Sequence, residues 1–243
     1  MNRYFEDFSW VDFIIGTLRV VIIALVIIGA YNTLSAGRYS TEQWVGLVVS
    51  GLAQGSIYAL IALGYTLVYG ILLMINFAHG EVFMSGAFSA VFLAEAFNRS
   101  GFLNSQPLLA IPLLIGFAAL VSMSVAILLE RIAYRPLRGA PRLVPLITAI
   151  GASFFLQYTF RGLYGSGFKS YPTVQIFQGT YPFLDFEVSV AQVWVFILAL
   201  ILMIGLYWLV ERTKIGRAMR AVSENKEVAV LMGINIDRVI MFT

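Results

Sequence analysis

The sequence predicts an all-α membrane protein, a bundle of transmembrane helices with broken or re-entrant elements. Composition is the first reason: 60% of the 243 residues are hydrophobic and 12% are charged, whereas about a quarter of a soluble chain is charged. The second is the spacing of charge. Uncharged runs near the length of roughly 20 residues that crosses a bilayer lie at 20–37, 43–78, 100–129, 143–160 and 188–210. An ordinary soluble domain is therefore excluded.

The N-terminal apolar segment has two interpretations. Its apolar core follows Arg19, as in a cleaved signal peptide, but the leader is long and carries Glu6, Asp7 and Asp12. The length and the acids favour an uncleaved first span at 20–37.

The run 43–78 is too long for one simple crossing. As a straight helix its 36 residues would measure about 54 Å, against roughly 30 Å of hydrocarbon, so it must tilt, break or turn back. We predict one crossing at 44–74, a kinked or re-entrant piece at 76–81 that is buried within protein, and a further span at 82–97.

Three more spans follow, at 107–129, 143–160 and 190–210. The first carries Pro107 and Pro112 in its outer half, where neighbouring helices satisfy the freed carbonyls. The segment 161–188 between the last two reads as an ordered outer loop. A further span begins at 239, and the few residues from there to Thr243 cannot cross a bilayer. We therefore expect the single membrane domain 1–243 to lack its C-terminal part.

Basic residues predict which loops are cytoplasmic. If the N-terminus, the loop 130–142 and the segment 211–238 lie inside, twelve of the sixteen Lys and Arg residues are cytoplasmic, as the positive-inside rule requires. The four outside are Arg38, Arg99, Arg161 and Lys169. The net charge of +3 thus reflects topology, and no nucleic-acid partner is predicted.

The cytoplasmic segment 216–237 alternates charged and apolar residues with helical spacing. Its charged stripe contains Arg217, Arg220, Glu224 and Glu227, and its apolar stripe contains Ala218, Val222, Ala229 and Met232. We predict one amphipathic helix, which Gly233 ends in a left-handed conformation. A membrane-lying helix or a solvated connector is the alternative. The mixed charges and small apolar side chains favour docking onto a protein.

Two groups of polar side chains near the spans are candidates for function. Ionisable and amide groups surround Gly80, namely Asn76, His79 and Glu81. Such groups are functional candidates at membrane depth, or they cap and pair at the cytoplasmic boundary. Tyrosines on one helix face pack against neighbours or line a path; they are Tyr58, Tyr65 and Tyr69.

Two absences limit the chemistry of the chain. The sequence holds no cysteine, so thiolate metal sites and thiol catalysis are excluded. It also holds no Gly-x-x-x-x-Gly-Lys-Ser/Thr motif for nucleotide phosphates. We predict no metal, no cofactor and no enzymatic activity of the subunit itself.

Six segments, in order, resemble the branched-chain amino acid importer permeases of the LivH type. They lie at 55–65, 68–71, 76–81 (Asn-Phe-Ala-His-Gly-Glu), 130–138, 150–157 and 233–240, so the resemblance covers 43–243. The segment 227–233 also resembles the Glu-Ala-Ala-x-x-x-Gly loop by which permeases of ATP-binding-cassette importers dock onto their ATPases. Val228 stands where that loop has an alanine. The other departure is the extra N-terminal span.

The resemblance implies a permease subunit in the inner or plasma membrane, with a fold like the LivH and ribose permeases. It implies four kinds of partner: a second, LivM-like permease subunit, two cytoplasmic ATPase subunits, an external substrate-binding protein and the lipid bilayer. Coupling to the ATPases would use Arg217, Arg220, Glu224, Glu227, Ala229 and Gly233. The translocation path or gate would involve Tyr58, Tyr65, Tyr69, Asn76, His79, Gly80 and Glu81.

Two alternatives remain open at this stage. The same machinery carries urea, short amides or sugars in similar permeases. A self-sufficient secondary transporter or channel would instead bury carboxylates at the midplane for a coupling ion, and Glu81 and Glu95 are the acids available between Glu42 and Glu130.

Overall fold

A computed structural model describes residues 10–37, 39–137, 139–141, 143–183 and 186–243. Within this part of the chain, six helices are long and apolar enough to cross a membrane. They are α1 (Trp10–Ser35), α2 (Thr41–Leu72), α3 (His79–Arg99), α5 (Pro107–Leu129), α6 (Leu143–Tyr164) and α7 (Val190–Arg212). Each contains most of one predicted span. The predicted all-α, multi-pass fold is therefore confirmed.

Shorter elements connect these helices. The helix α4 (Phe102–Ser105) precedes α5, and a π-helical turn (Glu130–Tyr134) followed by a 3-10 turn (Arg135–Leu137) continues it. Beyond α7 the chain forms α8 (Lys214–Glu224), α9 (Lys226–Leu231) and α10 (Ile236–Phe242). Arg138 and Arg142, two of the predicted cytoplasmic arginines, and Arg38 on the predicted outer side lie outside the described residues.

The helix α2 does not break within its span. Ser40 caps it through a capping box with Gln43, and it continues for 32 residues, about 48 Å. It ends at Leu73, which has a left-handed backbone with φ 57°. The irregular piece is therefore 73–78 rather than the predicted 76–81, and His79, Gly80 and Glu81 form the first turn of α3.

The outer loop between α6 and α7 contains a β-hairpin that the sequence analysis did not predict. Strand β1 (Thr180–Phe183) pairs antiparallel with β2 (Phe186–Ser189), with Thr180 opposite Ser189. Earlier in the loop, Tyr171 donates a hydrogen bond of 2.6 Å to the Ala87 carbonyl, and the Gln175 amide donates to Asn104. The loop is ordered against α3 and α4.

Two helix pairs hold the bundle together. At Gly86 the backbones of α3 and α5 approach so closely that a Cβ would overlap the Ala118 carbonyl and Ser122. Ser122 also donates a hydrogen bond of 3.0 Å across the pair to the Val82 carbonyl. Helices α2 and α7 are joined by Gln192 and Ser50 at 2.6 Å.

Gly86→Ala is expected to destabilise the protein by about 1–3 kcal/mol, because a backbone carbonyl must move to admit the methyl group. The measurement is the melting temperature of the detergent-purified protein. Gly116→Ala on α5 is the matched control, since a Cβ there meets no atom. Equal melting temperatures of the two variants would contradict the close approach.

The basic loop and the last helices lie on one side of the bundle, because Arg135 forms a salt bridge of 2.9 Å with Asp237. We expect that side to be cytoplasmic. The chain has no cysteine, so single cysteines report cleanly: Gly139→Cys and Ser223→Cys should resist a membrane-impermeant maleimide in intact cells, and Ser100→Cys should react. Labelling of Ser223→Cys from outside would reverse the topology.

Candidate translocation and coupling site

The break between α2 and α3, here called the junction (residues 73–81), is tied to the turn that follows α5. The amide oxygen of Asn76 accepts a hydrogen bond of 2.7 Å from the Tyr134 hydroxyl and one of 3.0 Å from the Ala78 amide. Tyr134 is buried and ends the π-helical turn. Such turns are frequent at functional sites. Tyr134 was not among the residues predicted from the sequence, although it is the one aromatic residue in its arginine-rich loop.

His79 fills the angle between α2 and α3. Its ring meets Tyr65 edge-on, with centroids 5.6 Å apart, and lies against Gly64, where the absent side chain leaves room for the imidazole. Glu81, two residues further along, is half-buried and close enough to Tyr134 for their charges to interact. Asn76, His79 and Tyr65 are thus brought together, and Gly80 is exposed beside them.

The rest of the tyrosine stripe does not join this group. Tyr58 and Tyr69 lie exposed on the surface of α2, whereas Tyr65 is half-buried against His79. Glu95, the other candidate acid, pairs with Arg99 at 3.7 Å on the exposed end of α3. It is therefore not a buried carboxylate of the kind that a coupling ion requires.

Tyr134→Phe and Asn76→Ala are expected to be strongly non-additive, because each removes the same hydrogen bond between α2–α3 and α5. A double-mutant cycle on unfolding in detergent should give a coupling of about 0.5–1.5 kcal/mol. Additive losses would mean that the two side chains act independently.

The predicted single helix over 216–232 is wrong. The chain forms α8 and α9, separated at Asn225, which has an extended backbone and caps α9 by accepting from the Glu227 and Val228 amides at 3.0 and 3.1 Å. The residues 214–242 are called the coupling segment below.

The break at Asn225 changes which side chains face inward. Val222 and Ala229 are buried as predicted, but Met232, at the end of α9, is 77% exposed, and Met219 on α8 is also buried. On the charged side Arg217, Glu224 and Glu227 are exposed. The Arg220 side chain lies at the turn between α7 and α8, where it forms a salt bridge of 2.7 Å with Glu211 and donates a hydrogen bond to the Val210 carbonyl.

Gly233 has the predicted left-handed backbone, with φ 81°. Its amide donates to the Val230 carbonyl, and the next amide, of Ile234, donates to the Ala229 carbonyl. This pair of bonds closes the end of α9. The chain then turns directly into α10, so the glycine prediction is confirmed.

The coupling segment packs against both sides of the junction. Its buried side chains form one apolar cluster with the end of α2; the cluster contains Ile71, Met219, Val222, Ala229, Val239 and Ile240. The Lys226 ammonium lies 3.4 Å from the Leu72 carbonyl at the C-terminus of α2, where a cation is favourable. On the other side Asp237 pairs with Arg135, next to Tyr134. A displacement of this segment would therefore move both the C-terminal end of α2 and the turn that contains Tyr134.

The outer surface of α9 is apolar and exposed. Val228 and Val230 are 51% and 53% exposed, and Leu231 is 85% exposed. Together with Met232 these four side chains form a surface called the α9 tip. Large apolar patches on a part of a protein surface that faces water mark interaction sites. Among the described residues, no group of three or more His, Cys, Asp or Glu residues is placed to hold a metal ion.

Comparison with known proteins places these features in one family. Residues 47–243 match the family described as branched-chain amino acid transport system / permease component. The permease BraD of Pseudomonas aeruginosa is 42% identical over 203 residues, which are 81% of this chain and 64% of BraD. LivH of Escherichia coli is 38% identical over 80% of this chain and 63% of its own. A probable LivH of Methanocaldococcus jannaschii is 27% identical over 81% of this chain and 60% of its own.

The chain thus spans under two thirds of the length of these relatives. No solved structure matches it. The match to the family covers most of the chain and includes the junction and the whole coupling segment. The chain belongs to the branched-chain amino acid transport permease family and is a multi-pass membrane protein.

Proposed function

We propose that the chain is a membrane-spanning subunit of an ATP-driven importer and translocates branched-chain or related amino acids. BraD and LivH are named high-affinity branched-chain amino acid transport system permease proteins, and this supports the substrate class. In this proposal the subunit hydrolyses no ATP. It forms the path, and separate ATPase subunits supply the energy.

The observation that carries the proposal is the α9 tip on its buried base. An apolar surface that exposes Leu231 and Met232 to water beside Glu227 is costly for an isolated chain, and a groove on a partner relieves that cost. The same short helix is anchored to α2 through Ala229 and Lys226. These contacts support α9 as the point where an ATPase subunit docks and transmits its movement.

The junction is the gate in this proposal. ATPase movement would pass from α9 through Lys226 to the end of α2, and through Asp237 and Arg135 to the turn that holds Tyr134. The hydrogen bond between Tyr134 and Asn76 then couples the two routes. His79 and Tyr65 form the packed side of the gate.

The proposed importer contains two further kinds of subunit. A binding protein would deliver the amino acid to the outer side, so that the permease needs a path more than a tight site. A second, LivM-like permease subunit would close the other wall of that path. Bound ATPase subunits would occupy the cytoplasmic face formed by the coupling segment.

The test is reconstitution of the chain with these subunits in proteoliposomes. Purified complexes should hydrolyse ATP faster when leucine-loaded binding protein is added. Radiolabelled leucine should accumulate only when ATP is present on the side of the membrane to which the ATPase subunits are bound. Leucine uptake driven by an ion gradient without ATPase subunits would overturn the proposal in favour of a secondary transporter.

A further inference from the structure

Arg161 is a basic side chain within a candidate membrane span that none of the described contacts neutralises. It lies one turn before the end of α6 (Leu143–Tyr164), and its side chain is exposed. Among the described residues no acid or hydrogen-bond acceptor contacts its guanidinium. A charge within a span must face a water-filled space or a counter-charge, and it marks a functional site by default.

The end of α6 lies short of the outer end of α3. Tyr164 stacks on Phe92 with ring centroids 4.8 Å apart, and α3 continues from Phe92 to Arg99, roughly 10 Å further. The following loop covers the same face of α3. Lys169 lies 5.7 Å from the centre of the Phe92 ring, and Tyr171 donates to the Ala87 carbonyl.

Arg161 lines a cleft of about 460 Å³ between α3, α6 and this loop. That volume is within the size range of small-molecule sites. The cleft joins two chemistries. Polar groups come from Arg161, Gln157 and Tyr158, and an apolar wall comes from Met84 and Phe88. A second cavity of about 360 Å³, under Tyr171 and Phe177, is lined by no charged side chain among the residues that the structure describes, and so offers no contact to a charged ligand there.

We propose that this cleft is a subsite for the amino acid on its way through the permease, with Arg161 binding the α-carboxylate. A guanidinium fork matches a carboxylate in two parallel hydrogen bonds and stays charged at any physiological pH. Met84 and Phe88 then contact the aliphatic side chain. The flexible thioether adapts to branched shapes of different length, and the phenyl ring supplies apolar surface. The inference rests on the proposed function and adds to it the residue that recognises the carboxylate.

The first test uses the complete transporter in proteoliposomes with binding protein and radiolabelled leucine. Arg161→Gln is expected to lower the uptake rate about tenfold or more, since it removes a charge-assisted bidentate contact. Arg161→Lys, which keeps the charge without the fork, should give an intermediate rate. Arg99→Gln removes a positive charge on the same face, where Arg99 is exposed beside Glu95, and should leave the rate unchanged.

The second test does not depend on a variant that folds. A diazirine analogue of leucine, photolysed in the unmodified complex during ATP turnover, should attach to Met84, Phe88 or Tyr158, and excess leucine should suppress the label. An analogue without the carboxylate, the corresponding amine, should label these residues far less.

The outcomes separate this inference from the proposed function. If the unmodified complex takes up no leucine, the proposed function fails and this subsite with it. If the unmodified complex transports leucine and Arg161→Gln does so at the same rate, only the subsite is overturned. Loss of co-purified anionic lipid from Arg161→Gln, with leucine uptake intact, would also overturn it by assigning the guanidinium to a headgroup phosphate.

Discussion

Gly216→Val is expected to abolish ATP-driven uptake while the chain still inserts into the membrane. Gly216 lies in the first turn of α8, where a Cβ would overlap the Leu209 and Val210 carbonyl oxygens at the end of α7. Those oxygens are backbone atoms within a membrane helix and cannot move aside as the tip of a side chain does. The corner is also closed by the Thr213 hydroxyl, which accepts from the Gly216 amide at 3.0 Å.

The valine must therefore displace α8 as a whole. Met219 and Val222 would leave the apolar cluster that seats the coupling segment on Ile71, at a cost of about 3 kcal/mol from overpacking and lost contacts. Uptake by proteoliposomes and the amount of ATPase subunit that co-purifies are the measurements. Gly205→Ala on α7, where a Cβ meets open space, is the matched control. Uptake at the unmodified rate in Gly216→Val would show that the corner is not needed for coupling.

Leu231→Asp is expected to reduce co-purification of the ATPase subunits at least about tenfold, because it places a charge in the centre of the proposed apolar contact. Leu231 is 85% exposed, so the folded permease loses little stability. Glu227→Lys should weaken the same contact by reversing a charge beside it. Its cost to the permease itself is a helix-dipole effect of less than about 1 kcal/mol.

Leu231→Met serves as the conservative control and should bind the ATPase normally. Binding is measured by pull-down from detergent, and coupling by the ATP hydrolysis that leucine-loaded binding protein stimulates. Glu227→Lys with the ATPase bound and leucine transported at the unmodified rate would contradict docking at α9.

Hydropathy was sufficient to predict the six long apolar helices, because a segment of that length and apolarity satisfies its backbone hydrogen bonds best as a helix. The same reasoning placed the long run 43–78 in one crossing followed by a break, and α2 and the junction confirm that order. It misplaced the break by three residues at its start. A left-handed backbone at Leu73 has no sequence signal, since leucine rarely adopts it.

The coupling segment shows where helical periodicity fails. A helical wheel assumes one continuous phase, and the phase is reset at Asn225. Val222 before the break and Ala229 after it were placed correctly, but Met232, at the end of α9, was not. The signal was present, because Asn followed by Lys226 and Glu227 is a common helix start. It was outweighed by the regular spacing of charges across the break.

The candidate site could be predicted only in part. Asn76 and His79 were selected because their segment holds the single histidine and one of few acids next to the spans, and they do lie together at the junction. Tyr134 was missed because its contact joins residues 58 positions apart, which only the folded chain brings together. The cleft at Arg161 was missed for the same reason: its walls come from α3, α6 and a loop. Arginine was counted there as a marker of topology.

The left-handed backbone at Leu73 makes the end of α2 less stable in this conformation. This conformation costs a residue with a side chain about 1–2 kcal/mol. The contacts of Lys226 and of the apolar cluster with the end of α2 offset that cost. A state that lets Leu73 return to an extended backbone recovers that energy, which corresponds to a factor of about 5–30 in a two-state equilibrium. The end of α2 therefore favours conformations in which Leu73 is released, and in the proposed importer this strain would make leaving the present conformation easier and returning to it harder by the same amount.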